Sequence, residues 1–339
     1  MMISASKGFI NQSEKYEKDN AGSSKNKYTL IKYGELAYNH GNSKVKKYGA
    51  VFALNEPGAL IPFVYHSFSI SNSNNPFYFG KYLNLSKHDR YLVKVISSGA
   101  RMDGLLNISA EDFFKLPIKY PRFDEQNKIN NFLDLVDKKM VVLNNKIVVL
   151  KKYKKGMTKK ALSYVFTNGR KMNFNCIFEA INEFNSNAKY KQYTVGKYGL
   201  KSITDINYDI SKHKLFHPRN LILGIGIDEI GYSTDTIGSV SPVYEVYKII
   251  NENYSFGISR TIRGQLWNIR NQITRKSTRR EFEFDKKELK KSKIFVIDNN
   301  SFSSFENAFY CVDIKLLTLS EKLIELNYLK VKILKEMFI

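Results

Sequence analysis

The chain has 339 residues, 43% of them hydrophobic, which is enough for a sizeable core and, at ordinary domain size, for about two domains. Its 54 Lys and Arg against 32 Asp and Glu leave a net charge of +22, which points to a polyanionic partner, nucleic acid ahead of a membrane surface. No apolar run approaches the roughly 20 residues of a membrane-spanning helix, Met1 to Ile10 lacks the pattern of a signal peptide, and two distant cysteines, Cys176 and Cys311, exclude a disulfide scaffold or cysteine-rich zinc site and suit a reducing cytoplasm.

Residues 1–121 read as a mixed α/β module with strands at Tyr28 to Ile31, Gly49 to Leu54 and Phe63 to Ile70. It closes on Leu116-Pro117-Ile118-Lys119-Tyr120-Pro121, whose prolines bias their predecessors away from helix. A helix over 122–166 follows, opening near Asp124 or Glu125, where carboxylates suit the positive end of the dipole. Asn168-Gly169 stops it. A second module spans 167–300, with strands at Leu221 to Ile227, Val243 to Ile250 and Lys293 to Ile297 and an apolar, helix-like stretch at Phe174 to Phe184. A second long helix occupies 301–339.

The two helices repeat each other. Leu133, Val136, Met140, Leu143, Ile147, Leu150, Lys154 and Met157 recur as Phe309, Val312, Leu316, Leu319, Leu323, Leu326, Lys330 and Ile333, each 176 residues on (313 − 137 for the aspartates Asp137 and Asp313). Spacings of 3 and 4 make this the seam of a coiled coil. The modules echo each other too: Gly58-Ala59-Leu60-Ile61-Pro62 matches Gly238-Ser239-Val240-Ser241-Pro242. Ser98-Gly99-Ala100-Arg101 matches Ser277-Thr278-Arg279-Arg280, and Glu111-Asp112-Phe113 matches Lys287-Glu288-Leu289, each read as leading into an apolar strand.

These motifs resemble the specificity (S) subunits of type I restriction-modification systems. The residues that carry the resemblance are Leu116-Pro117-Ile118, Glu125-Gln126-Asn127-Lys128-Ile129, Leu133 to Asp137, the basic end Leu150 to Gly156, and Gly238 to Pro242 followed by Tyr244. The resemblance covers the chain in the order domain, helix, domain, helix. It implies an α+β fold: two mixed α/β target-recognition domains separated by two long antiparallel coiled-coil helices. It further implies a non-catalytic, cytoplasmic subunit that reads a split site on double-stranded DNA, one half per domain. The two helices would act as a ruler between the domains. Two methylation subunits and the restriction subunits would be its partners, and S-adenosylmethionine, ATP and magnesium would sit on those partners.

Two departures stand out. Ser301 and Phe302 replace the Glu125-Gln126 pair in the second copy, so its helix is expected to start differently. Lys7-Gly8-Phe9 matches Tyr198-Gly199-Leu200, so the counterpart of Phe174 to Phe184 is missing from the first module. That module is therefore read as N-terminally shortened, or completed by another chain, and as the less stable of the two.

Base reading calls for Arg on guanine and Asn or Gln on adenine, with Lys on phosphates. The densest such stretch holds Arg260, Arg263, Gln265, Asn268, Arg270, Gln272, Arg275, Lys276, Arg279 and Arg280, with Trp267 among them as a packing residue. The first module offers Asn39, Lys44, Lys46 and Lys47, and Arg101. The bland reading is a solvated helix and loop. Lys151 to Lys160 reads as a solvated basic face that could also meet phosphates or an acidic partner surface.

Rival chemistries are thinner. Asn75-Pro76-Phe77-Tyr78 is one proline short of the adenine methyltransferase motif; Gly224-Ile225-Gly226 lacks the third glycine of a dinucleotide loop; Glu288-Leu289-Lys290 has only Asp285 as a nearby nuclease acid. His213 and His217 have no Glu between them and run into Pro218, against a metal site. The alternative from another class is a non-enzymatic basic coiled-coil adaptor for RNA or acidic proteins.

Overall fold

The computed structural model describes residues 1–14, 28–41, 46–96, 106, 108–196, 199–203, 209–233, 236–278 and 282–336. It divides into two compact units, Met1–Asn144 with Glu321–Ile339, and Asn145–Ser320.

In the first unit β1 (Met2–Ser4) and β2 (Gly8–Ile10) form a hairpin. β3 (Tyr28–Lys32) pairs antiparallel with β6 (Gly58–Pro62), and β4 (Leu36–Asn39) lies between β5 (Ala50–Ala53) and β7 (His66–Phe68). Alternation decides which faces turn inward: Ala59 and Ile61 of β6 are buried while Leu60 points out. Short helices α1 (Pro76–Tyr82), α2 (Asp89–Val95) and α3 (Ala110–Phe114) follow. Leu36, Tyr38, Val51, Tyr78, Phe79 and Tyr82 form the core here, closed by Ile129 and Leu133 of the long helix α4 (Phe123–Asn168) and by Ile333 and Leu334.

The second unit opens with β8 (Arg170–Asn173), α5 (Phe174–Ile177) and β9 (Phe178–Ile181). A four-stranded sheet follows the order β11 (Gly199–Ser202), β10 (Gln192–Gly196), β15 (Gly238–Val240), β12 (Lys214–Phe216). A second runs β14 (Ile230–Tyr232), β13 (Leu221–Leu223), β16 (Glu245–Ile249), β9. Helices α6 (Ser255–Asn268) and α7 (Arg270–Ile273), the short pair β17 (Thr274–Arg275) and β18 (Glu283–Phe284), helix α8 (Lys286–Lys291) and strand β19 (Lys293–Val296) lead to α9 (Asn299–Glu336). Strand β19 pairs back onto β8.

The units share a plan. The hairpin β1–β2 corresponds to β10–β11, with Gly8 and Gly199 both in the left-handed region (φ +77° and +96°), as the match of Lys7-Gly8-Phe9 with Tyr198-Gly199-Leu200 anticipates. The pair β3–β6 corresponds to β12–β15, and β5–β4–β7 to β14–β13–β16. Among the described residues of the first unit nothing corresponds to β8, α5 or β9.

The structure narrows several sequence expectations. Phe174 to Phe184 is not one helix: a single turn gives way at Phe178 to a strand whose Phe178–Ile181 register runs against Val246–Ile249. Its apolar residues are spaced for either state, and pairing with β16 decides. Phe63 to Ile70 is strand only at His66–Phe68, and Leu221 to Ile227 only at Leu221–Leu223, because a turn at Phe63-Val64 breaks the first and a bend at Ile225 followed by a turn at Ile227-Asp228 breaks the second. Phe113 and Leu289 are both buried in short helices, but only α8 leads into a strand; Leu116 to Pro121 has no regular secondary structure and pairs with no strand.

Within each unit α4 and α9 run antiparallel. In the first, Asp137 meets Lys330 (2.5 Å), and Leu133 and Ile129 pack with Ile333 and Leu334. In the second, Lys154 meets Asp313, and further along Tyr164 lies tilted against Phe305 (ring centres 5.1 Å apart) and Val165 shares an apolar cluster with Phe302. Leu133, Val136, Leu143, Ile147, Met157, Phe309 and Val312 are buried. Met140, Leu150, Leu316, Leu319, Leu323, Leu326 and Ile333 are half-buried.

Candidate nucleic-acid interface

Each unit fixes its mixed domain to the paired helices through a cation. In the second unit Arg260 of α6 donates bidentately to Glu306 (2.8 and 2.7 Å) and once to Asp313 (3.0 Å), while its guanidinium lies 4.8 Å from the Phe309 ring centre. Burial alone would lower the Arg260 pKa; Glu306 and Asp313 outweigh it and raise it. In the first unit Lys81 of α1 plays this part, donating to Asn130 (2.5 Å) and Asp134 (2.7 Å). Asn130 and Glu306 are 176 apart (306 − 130), the helix offset, yet the pairing escapes a reading of motifs because Lys81 and Arg260 sit in stretches with no other likeness.

The Arg- and amide-rich segment splits accordingly. Its first half is spent inside the fold. Gln265 is buried and brackets β19, donating to Phe295 O (2.9 Å) and accepting from Phe295 N (2.8 Å). Arg263 donates to the carbonyl of Asp228 (2.8 Å), and more distantly to those of Gly196 and Ile230. Burial lowers its pKa, with Asp228 acting against that. The second half faces out: Asn268, Gln272, Arg275 and Lys276 are exposed and Arg270 is half-buried. Trp267, expected to pack, is 46% exposed, with the Arg270 guanidinium 5.0 Å from its ring centre. Arg275 has Glu283 at 3.7 Å. Arg279 and Arg280 lie outside the described residues.

In the first unit Asn39 ends β4 with its amide donating to Ile3 O (3.1 Å) and its oxygen accepting from Gly41 N (3.0 Å). Lys46 donates to Asn84 O (2.7 Å); burial lowers its pKa, and Asp89 acts in the other direction. Lys47 is exposed beside the Tyr48 ring. Lys44 and Arg101 lie outside the described residues. The structure thus brings together an outward surface of Trp267, Asn268, Arg270, Gln272, Arg275 and Lys276, and gathers no comparable set in the first unit among the described residues.

No protein-family model and no curated protein matches the chain. Solved structures do. The chain is similar to the HsdS subunit from Thermoanaerobacter tengcongensis at 11% identity, over 91% of this chain and 81% of that one, with a TM-score of 0.43. It is similar to a chain from a study of complex assembly and conformational transition of the type I R-M system (11%, 91% and 83%, 0.49). It is also similar to the type I restriction-modification S subunit from M. genitalium (13%, 93% and 85%, 0.47).

The rival motifs have local, structural explanations. Asn75 caps α1, its oxygen accepting from Phe77 N (2.9 Å) and Tyr78 N (3.1 Å), so the proline that follows is the one favoured in a first turn. The amides of Ile225 and Gly226 both point at Glu229 Oε2 (2.8 and 3.4 Å), which occupies the nest a phosphate would need. Asp285 caps α8 through Lys287 N and Glu288 N. His217 faces Glu183 (2.7 Å) and His213 is buried; among the described residues no cluster of His, Cys, Asp or Glu could hold a metal ion. No helix is long and apolar enough to cross a membrane.

Proposed function

We propose that this chain is the sequence-reading specificity subunit of a type I restriction-modification complex. The observation that carries this reading is the duplicated build: the same strand plan twice, each domain clamped by a cation to an antiparallel helix pair closed by a Lys–Asp bridge. A two-part reader needs such a scaffold, and an adaptor does not. In this reading each domain reads one half of a split DNA site, with Asn268, Arg270, Gln272, Arg275 and Lys276 as the reading face of the second. The helices set the spacing of the half-sites.

Two methylation subunits dock on the helices, whose outer faces support this. Leu135, Val142, Ile324 and Tyr328 in the first unit, and Val148, Val149, Tyr310 and Leu317 in the second, are exposed apolar residues at heptad-related positions, Ile324 to 70%. Such a stripe on a long helix is a site for further helices. Catalysis, S-adenosylmethionine, ATP and magnesium then belong to the methylation and restriction subunits, and the assembly works in the cytoplasm.

The test is to express the chain with its methylation subunit and map methylated adenines across a host genome. The reading predicts a split motif, and Gln272→Ala or Arg275→Ala changes one half of it only. Methylation with no split motif, or loss of both halves together, would count against it.

A further inference from the structure

Each unit carries a groove between its mixed domain and one helix of the pair, α9 in the first unit and α4 in the second. In the first unit a groove of about 510 Å³ runs between Leu83 to Lys87 and Val331 to Lys335. In the second a groove of about 820 Å³ runs between α6 and Lys154 to Leu162. The two are the same place in the repeat. Val331, Leu334 and Lys335 stand 176 residues after Lys155, Thr158 and Lys159 (335 − 159), and Lys87 stands 180 before Trp267 (267 − 87).

Their chemistry agrees as well. The floor is apolar: Leu83, Leu85 and Leu334 in one, Leu162, Ile230 and Trp267 in the other. The rim is cationic: Lys47, Lys87 and Lys335 in one, Lys155 and Lys159 in the other, where Arg263 is held by backbone carbonyls. Asp89 is the one acidic residue on the first groove's lining, and the second has none. Val331 and Trp267 hold exposed apolar surface inside these cationic walls, at 44% and 46%.

We propose that both grooves hold the same kind of ligand, an acidic amphipathic helical segment of a partner protein, one copy per unit. Phosphate tracks of DNA need donors but gain nothing from an apolar floor, whereas an amphipathic helix places apolar anchors at i, i+3, i+4 and i+7 into such a floor and leaves its acidic face to the lysines. Lysine rims add mainly encounter rate and orientation; the anchors add affinity. This rests on the functional reading above, in which two methylation subunits bind one chain, and adds to the outer helix faces a second surface that they grip, with its chemistry.

The experiment uses the full chain assembled with its methylation subunit and duplex DNA. A photocrosslinking phenylalanine replaces Val331 in one preparation and Trp267 in another, and crosslinked peptides are sequenced. The expected result is one and the same net-negative segment of the methylation subunit from both positions. Crosslinks to DNA, or to unrelated segments from the two positions, overturn the proposal. In parallel, Lys155→Glu with Lys159→Glu is expected to reduce the bound methylation subunits from two to one by native mass spectrometry, and Lys87→Glu with Lys335→Glu to do the same. Circular dichroism checks that each variant keeps its helix content. Two subunits still bound to both folded double variants would sink the groove assignment alone. Failure of the unaltered chain to bind any methylation subunit would sink it together with the functional reading.

Discussion

His88 shows how a single buried group gives the first unit a pH dependence. It is 4% exposed, its Nε2 has no hydrogen-bond partner among the described residues, and burial, with Lys87 nearby, lowers its pKa from 6.5 to about 4. The folded chain therefore keeps His88 neutral down to about pH 4, while the unfolded chain takes up a proton near pH 6.5. Acidification across that window favours the unfolded chain, by on the order of 1–3 kcal/mol. Urea unfolding at pH 7 and pH 5 should show this loss, and His88→Phe should flatten it; an unchanged difference would assign the acid sensitivity elsewhere. Arg260 is a second such residue. Arg260→Met leaves Glu306 half-buried without its partner and Asp313 with Lys154 alone, and should destabilise the second unit by roughly 2–4 kcal/mol in denaturant titrations. Gly238 is a third: a Cβ there would come within 2.6 Å of the Tyr193 ring and 2.7 Å of Phe216, so Gly238→Ala should cost about 1–3 kcal/mol.

At the scale of elements, the helices were legible in the sequence and the site largely was not. Heptad spacing from Leu133 to Met157 and from Phe309 to Ile333 announces both the helices and the inward face, because period 3.5 is a local property of the chain. Strands of three to five residues, such as Leu221–Leu223, carry too few positions for alternation to mark their ends. The proposed reading face was half legible. Arg260, Gln265 and Asn268 look alike as residue types, and only the packing of α6 against β19 and α9 shows that the first two are used internally.

The different start of the second helix also has a plain account. Gln126 in the first unit accepts from Asn75 N (2.8 Å) and donates to Asn74 and Pro121, tying α4 to the start of α1. In the second unit Phe302 fills the matching position, and Asn299, three residues earlier, accepts from Phe256 N (3.0 Å) at the start of α6. The same tie is kept with a different residue, so no motif search would align it. The Lys154–Asp313 and Lys330–Asp137 bridges are partly exposed, so each should contribute about 0.5–1 kcal/mol in a double-mutant cycle. A coupling indistinguishable from zero in both would leave the apolar seam alone to set the register.

For the whole molecule, the proposed DNA-reading role together with a net charge of +22 predicts an affinity that is steeply salt-dependent through counterion release. Lys276→Ala should weaken binding to all sequences and reduce the slope of log affinity against log salt by about 1, whereas Gln272→Ala should alter sequence preference with little change in slope. Equal effects of the two variants on both quantities would contradict the division into phosphate and base contacts.

The pairing of Asp137 with Lys330 also bears on synthesis. The strands of the first unit leave the ribosome ahead of the second unit, but the Ile333 and Leu334 that help close its core leave after it. The second unit, Asn145–Ser320, is complete in the nascent chain before them. The half that is translated first is therefore the half that finishes folding last, and until then its open core is what a chaperone or protease would meet.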